Sequence, residues 1–271
     1  MSSELASNFR TLHEQDSVLM LPNAWDVVSA LLQQRSGAKA IGTSSAALCW
    51  SLGYPDGSQL PSTELLNAIR RISRCLAVPL TVDIEDGYSF TPDKVADLAA
   101  AIREAGAVGV NIEDGAGPSE LLAEKIAAIR RRMGPEDLFI NARTDVYLRS
   151  LAKGQEAMSM VVERARQYSA VGASGLFVPG LTSLQEVTHV AAATPLPLNL
   201  MALPGLPTSD ELRSAGVRRL SVGPALFLSA YRKLLDDTVT FLQGDAAAMF
   251  TNSLQFGDMN ELCSQQSRAA A

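Results

Sequence analysis

The chain has 271 residues, 47% of them apolar and 19% charged, enough apolar material for a sizeable core and too little charge for wholesale disorder. Lys plus Arg number 23 against 29 Asp plus Glu, a formal net charge of −6, which argues against nonspecific nucleic-acid binding through clustered positive charge. Three cysteines (Cys49, Cys75, Cys263) without CxxC spacing, and two distant histidines (His13, His189), argue against a disulfide scaffold, a zinc site or a histidine-based triad.

The first residues, MSSELASNFRTLHEQD, carry acids and no apolar stretch, so they do not read as a signal peptide. No apolar run is long enough to span a bilayer, and the expectation is a soluble cytoplasmic protein with no membrane partner. From there short apolar runs alternate with amphipathic stretches. The runs Val18–Pro22, Lys39–Thr43, Pro79–Glu85, Val108–Glu113, Leu138–Arg143, Gly175–Pro179, Pro197–Met201 and Arg218–Val222 predict strands. Helical patterns at Thr63–Leu76, Pro92–Ala105, Glu120–Arg132, Gln155–Val171 and Ser183–Ala192 lie between them. In Pro92–Ala105, Val95, Leu98, Ala99 and Ile102 recur at i, i+3, i+4 and i+7, one helix face. Thr63 is the expected cap of its helix, Pro92 suits a first turn, and Gly106 and Gly172 suit left-handed helix ends.

Eight strands separated by helices predict an α/β fold, a (β/α)8 TIM barrel over residues 1–242. The rival is an open doubly wound sheet, but no GxGxxG or GxxxxGK[ST] motif is present. A helix at Ala225–Leu242 follows the eighth strand, and residues 243–271 form a tail. Its Ala247, Met249, Phe250 and Leu254 have no evident partner within the chain. Both a helix docking on a neighbouring subunit and a frayed end account for that pattern.

In a barrel, chemistry collects where strands end. Three successive strands end in Asp83-Ile-Glu85-Asp86-Gly87-Tyr88, Asn111-Ile-Glu113-Asp114 and Asn141-Ala-Arg143-Thr-Asp145. Alternation puts Asp83 with Glu85, Asn111 with Glu113, and Asn141 with Arg143 and Asp145, while Ile84, Ile112 and Ala142 face the helices. Two carboxylates about 5 Å apart at an effective dielectric near 20 repel by roughly 3 kcal/mol, so such a cluster calls for a cation. All-oxygen donors suit Mg2+, with Mn2+ as the alternative, rather than Zn2+. Asp86 and Asp114 read as turn caps. Arg143 reads equally as a partner of Asp145 or Glu113 and as a grip on an anionic ligand. Gly42-Thr43-Ser44-Ser45-Ala46-Ala47 reads as a ligand-contacting segment or a simple turn, Asp56 as a turn acid or a metal-shell acid, and Cys49 and Cys75 as core thiols.

These motifs, with Leu21-Pro22-Asn23-Ala24-Trp25-Asp26, Ser51-Leu52-Gly53-Tyr54-Pro55-Asp56 and Ser221-Val222-Gly223-Pro224-Ala225, resemble the isocitrate lyase/phosphoenolpyruvate mutase superfamily, most closely its compact mutase-like branch. The resemblance implies a Mg2+-dependent barrel enzyme acting on small 2-oxo or 2-hydroxy acids through an enolpyruvate-like anion. It implies Asp83 as the direct metal ligand, with Asp56, Glu85 and Glu113 holding the ion through water. Ser44, Ser45 and the Ala46 backbone are then implied at the substrate carboxylate and Arg143 at its other anionic end. Tyr88 would assist proton transfer, Glu113 and Arg143 would share the catalytic work, and Asn199 on the seventh strand joins the substrate-binding set. A homo-oligomer, dimer or tetramer, with an exchanged C-terminal helix is also implied.

One departure is informative. Lyases of the superfamily that cleave isocitrate or methylisocitrate carry a Lys-Lys/Arg-Cys-Gly-His loop after the fourth strand, whereas this chain has Asp114-Gly-Ala-Gly-Pro-Ser119. Their usual general acid is therefore missing. The longer gating loop of the mutases and phosphonopyruvate hydrolases is missing too. Three readings follow: a Mg2+-dependent lyase cleaving a C–C bond in a small oxo or hydroxy acid, as in decarboxylation of an oxaloacetate-like acid; a P–C bond mutase or hydrolase acting on a phosphonate; and a non-catalytic ligand-binding protein.

Overall fold

A computed structural model describes residues 2–250 and 253–269. Among them, eight parallel strands form one ring. β1 runs from Leu19–Leu21 into Asn23–Ala24, interrupted at Pro22, and is followed by β2 (Ile41–Thr43), β3 (Leu80–Asp83) and β4 (Gly109–Glu113). β5 (Phe139–Arg143), β6 (Gly175–Phe177), β7 (Leu198–Met201) and β8 (Val217–Ser221) complete the set. Each strand pairs with the next in chain order. The first half of β1 closes the ring on β8, with Leu19 opposite Arg219, and the second half pairs with β2. The break at Pro22 fits a residue without an N–H, since it donates nothing to either ladder. All pairings are parallel, so the fold is the α/β barrel with a C-terminal helix, and the open sheet is excluded.

The helices are α1 (Ser2–Glu14), α2 (Val27–Arg35), α3 (Ser45–Ser51), α4 (Ser62–Ser73), α5 (Pro92–Glu104) and α6 (Ser119–Met133). They continue with α7 (Gly154–Ala170), α8 (Leu184–Ala193), α9 (Ser209–Ser214), α10 (Ala225–Leu242) and α11 (Phe256–Ala269). Val95, Ala99 and Ile102 of α5 are fully buried as the periodicity requires, but Leu98 is only half-buried and Ala96 takes its place in the core. Pro92 occupies the first turn, and Gly106 and Gly172 adopt φ of +104° and +98°. Thr63 does not cap its helix: α4 begins one residue earlier, with Pro61 at the cap and no side-chain cap bond.

Four helices fall outside the expected set: α1, α2, α3 and α9. α1 covers the end of the barrel where strands begin. Its Phe9 is buried with Leu19, Leu21, Ala40, Val108 and Phe139, and His13 stacks on the Phe139 ring at 4.3 Å. The tail does find a partner within the chain, because Leu262 and Met259 of α11 pack with Leu31, Cys75, Val27 and Leu32. The opposite end of the barrel is left for the polar strand ends.

Candidate active site

Register places the strand-end residues in two tiers. Asp83, Asn111, Asn141 and Gly175 lie side by side across β3–β6, and one tier up Glu113 sits opposite Arg143, which sits opposite Phe177. Ile84, Ile112 and Ala142 are buried on the helix side, as alternation requires. Strand β3 stops at Asp83, yet the ladder reaches further, with Glu113 N–H donating to the Glu85 carbonyl at 2.8 Å.

Asp83 is buried. Its Oδ1 accepts from the Glu85 N–H at 3.0 Å and its Oδ2 from Asn111 Nδ2 at 3.3 Å. Asn141 Nδ2 in turn donates to Asn111 Oδ1 at 2.9 Å, so the two amides pass one oriented chain of bonds to the carboxylate. Glu85 is tied on both oxygens. Oε1 accepts from the Tyr88 hydroxyl at 2.8 Å, and Oε2 accepts from the N–H groups of Gly57 and Ser58. Glu85 and Tyr88 both have positive φ, +51° and +57°. Left-handed conformations of this kind cost of order 1–3 kcal/mol and persist where surrounding contacts hold them. Here Tyr88 N–H donating to Asp86 Oδ1 at 2.9 Å is one such contact, so Asp86 does cap a turn.

Arg143 is held from both sides. Its Nη1 meets Glu113 Oε2 at 2.5 Å, while Nε and Nη2 donate to the two oxygens of Asp145 at 2.7 and 3.1 Å. Its guanidinium also lies over the Phe177 ring. Asp114 is not a turn cap through its side chain. That side chain is fully buried and accepts from Arg164 Nη1 at 2.7 Å, Tyr168 Oη at 2.6 Å and the Asp145 N–H at 3.0 Å. Ser44 caps α3 by accepting from the Ala47 N–H at 3.3 Å, so the Thr43–Ala47 segment is a strand running into a helix start. Asn199 is buried on β7; its Oδ1 accepts from the Ser221 hydroxyl at 3.4 Å and, among the described residues, its Nδ2 has no partner.

Asp56 is exposed, and one of its carboxylate oxygens, a Glu85 oxygen and Cys49 Sγ all lie within 4.8 Å of one another. The sequence patterns did not place Cys49 there, because its position depends on how α3 turns over the barrel mouth. Its thiol is pushed up to about 12 by burial and then by Glu85 and Asp56, so it lines the site as a neutral group. Arg219 is another residue that sequence reasoning missed. It is fully buried inside the barrel, with Nη2 donating to Asn111 Oδ1 at 3.2 Å and Nε and Nη1 without partners among the described residues. A charged residue in the middle of the eighth apolar run, in phase with Ser221, was the available signal.

Burial raises Asp83, Glu85 and Glu113 above the ordinary carboxylate range, and Glu113 reaches about 8 despite the opposing pull of Arg143. Acids gathered in a partly dry mouth repel one another, and a bound divalent cation would remove that strain. The donor atoms are carboxylate oxygens, hard ligands of the type Mg2+ and Mn2+ prefer, and each carboxylate retains lone pairs beyond its present bonds. The residues therefore fit such an ion.

A parallel barrel with a buried aspartate, two tethered glutamates and a clamped arginine at its mouth defines a class of enzyme-like α/β barrels. Comparison with known proteins narrows it. The family model described as phosphoenolpyruvate phosphomutase matches residues 9–242. The chain is 40% identical over 222 residues to the uncharacterized protein Rv1998c of Mycobacterium tuberculosis, covering 80% of this chain and 81% of that one. It is 32% identical over 230 residues to 2-methylisocitrate lyase of Halalkalibacterium halodurans, covering 79% and 74%. It superposes on phosphoenolpyruvate phosphomutase of Streptomyces platensis subsp. rosaceus with a TM-score of 0.87 over 98% and 97% of the chains, at 20% identity, a likeness of fold alone. The chain belongs to the isocitrate lyase/phosphoenolpyruvate mutase superfamily, whose members similar to it include lyases and mutases.

Proposed function

We propose that the protein is a Mg2+-dependent lyase that cleaves a C–C bond in a small 2-oxo or 2-hydroxy carboxylate, with decarboxylation of an oxaloacetate-like acid as the simplest form. The observation that carries this reading is the acidic set Asp83, Glu85, Glu113 and Asp56 beside a short loop, 114–119, that holds no Cys, His or Lys. Asp83 would hold the ion directly, and Asp56, Glu85 and Glu113 through water. When bound, the ion supplies Lewis-acid polarisation of a substrate carbonyl.

The chain's own residues do the rest. Ser44, Ser45 and the Ala46 N–H receive the substrate carboxylate at the start of α3, where first-turn N–H groups have no partner in the helix. Arg143 uses three of its five N–H groups on Glu113 and Asp145 and presents the remainder to the anionic end of the acid. Asn199 offers its unpartnered Nδ2 to the same ligand. As the C–C bond breaks, its electron pair passes into the carbonyl system as an enolate and carbon dioxide leaves. The enolate carbon then takes a proton from water or from Tyr88 Oη. Burial and the adjacent Glu85 hold that hydroxyl in its protonated form, so it is a donor rather than a base.

The deciding assay is turnover of an oxo- and hydroxy-acid panel with Mg2+, wild type against Asp83→Ala. Loss of turnover in the variant supports the reading, and equal turnover overturns it. The family model's description favours a second reading, P–C bond chemistry. Phosphonopyruvate followed by phosphorus NMR separates the two, and an unchanged spectrum removes the second.

We also infer a homo-oligomer built through α10 and the tail 243–271. Leu228, Leu234, Leu235 and Leu242 of α10 are exposed together with Phe250 and Phe256, an apolar surface of the kind subunit contacts cover.

A further inference from the structure

Resting on the lyase reading, we propose that Arg149 joins Arg143 in anchoring the far carboxylate of the substrate, so that the acid taken by this site is a dicarboxylate long enough to reach beyond the metal position. Arg149 lies six residues past Arg143, and one buried carboxylate serves both. Asp145, with a fully buried side chain, gives Oδ1 to Arg143 Nε at 2.7 Å, while its Oδ2 accepts from Arg143 Nη2 at 3.1 Å and from Arg149 Nε at 3.0 Å. The Arg149 N–H also donates to the Asp145 carbonyl at 2.9 Å, which fixes where its side chain starts.

Unlike Arg143, Arg149 commits only Nε. Its side chain is 49% exposed, and among the described residues its two terminal nitrogens make no hydrogen bond. Arg149 borders a cavity of about 420 Å³ that Glu85, Glu113, Gly115 and Lys125 also line. A Cβ built on Gly115 would lie 3.8 Å from Arg149 Nη2 and 3.9 Å from Glu113 Oε1, so the guanidinium and the Glu113 carboxylate flank the same loop glycine. Lys125 does not compete for the role, since its buried ammonium donates to the Asp86 carbonyl at 2.6 Å and lies over the Phe90 ring. The mouth is otherwise rich in acids, so a second anionic group settles only beside a local cation. A guanidinium with both terminal nitrogens free grips a carboxylate through two parallel bonds.

The test is calorimetric titration of the Mg2+-loaded full-length protein with oxalate, a two-carbon ligand, and with 2-oxoglutarate, a five-carbon one. Wild type, Arg149→Gln and Arg149→Lys are compared. The expected result is a loss of roughly tenfold or more in 2-oxoglutarate affinity for Arg149→Gln, partly restored in Arg149→Lys, while oxalate affinity holds within about twofold. Parallel weakening of both ligands would mean that Arg149 merely braces Asp145, and it overturns the proposal. So does unchanged 2-oxoglutarate affinity, or a wild type that binds oxalate and not 2-oxoglutarate; in these cases the lyase reading stands. Failure of wild type to bind oxalate at all overturns the metal-site reading together with this one.

Discussion

His13 sits where charge is least tolerated. It lies between Phe9 and Phe139, its Nδ1 faces the Phe9 carbonyl at 2.7 Å and its Nε2 has no partner among the described residues. Burial, and secondarily the positive Arg219, lower its pKa to about 3, so the native ring is neutral. The unfolded ring titrates near 6.5. Its contribution to stability is therefore fully present above pH 6.5 and is lost as pH falls toward 3, with a slope approaching about 1.4 kcal/mol per pH unit. Urea unfolding of wild type and His13→Gln between pH 4 and 7 should give curves that converge toward acid by that slope; parallel curves would sink the account. Arg219, also buried, is the opposite choice at the barrel centre. Its guanidinium is lowered to about 9 by burial against the pull of Asp83, and it still donates to Asn111.

At the scale of elements, the site is held by carboxylates that bridge chain segments distant in sequence. Asp114 ends the tier above β4 and fastens α7 through Arg164 and Tyr168, and the turn after β5 through the Asp145 N–H. Asp145 then sets Arg143 and Arg149. Removing one charge from a buried pair leaves its partner uncompensated, which costs about 3 kcal/mol or more. Asp114→Asn should lower unfolding free energy by about that amount in denaturant titrations, because Arg164 then loses the charge of its carboxylate partner, the Thr144 hydroxyl at 3.2 Å being neutral. A change within a few tenths of a kcal/mol would show that the bridge carries no such weight.

For the whole molecule, the ring of strands puts hydrophobic packing outside and at its lower end, and polar strand ends at the other. α1 closes the lower end, which leaves the opposite end for ligands. The helix after the eighth strand, α10, buries only Phe227 and shows its remaining apolar side chains. Among the described residues no helix is long and apolar enough to cross a membrane. Light scattering on the eluting protein should give a mass of two or more chains for wild type and a smaller one for Leu234→Glu with Leu235→Glu. A wild-type mass near 28.8 kDa would rule the oligomer out.

Local chemistry made much of this legible. The eight apolar runs, the one-face pattern of Pro92–Ala105, and the glycines at 106 and 172 follow from periodicity and backbone sterics that each segment carries alone. Alternation along a strand was enough to put Asp83, Glu113 and Arg143 on one side. What the patterns could not supply were distances between segments. Cys49 beside Asp56 and Glu85, Gly57 and Ser58 donating to Glu85, the Asp114–Arg164–Tyr168 bridge and the seat of α11 on α2 all depend on closure of the ring. Thr63 as a cap failed for a related reason: Pro61, already fixed in φ, starts α4 one residue sooner.

The sequence by itself determined the alternation of strands and helices and the kind of atoms at the strand ends, since periodicity and side-chain chemistry are properties of each short segment. Only the tertiary structure decided which of those atoms meet, that Asp145 is shared by two arginines, and that Arg149 reaches it through Nε. Closure of the barrel brings together residues far apart along the chain, and the burial and repulsion that set their chemistry exist only once it has closed.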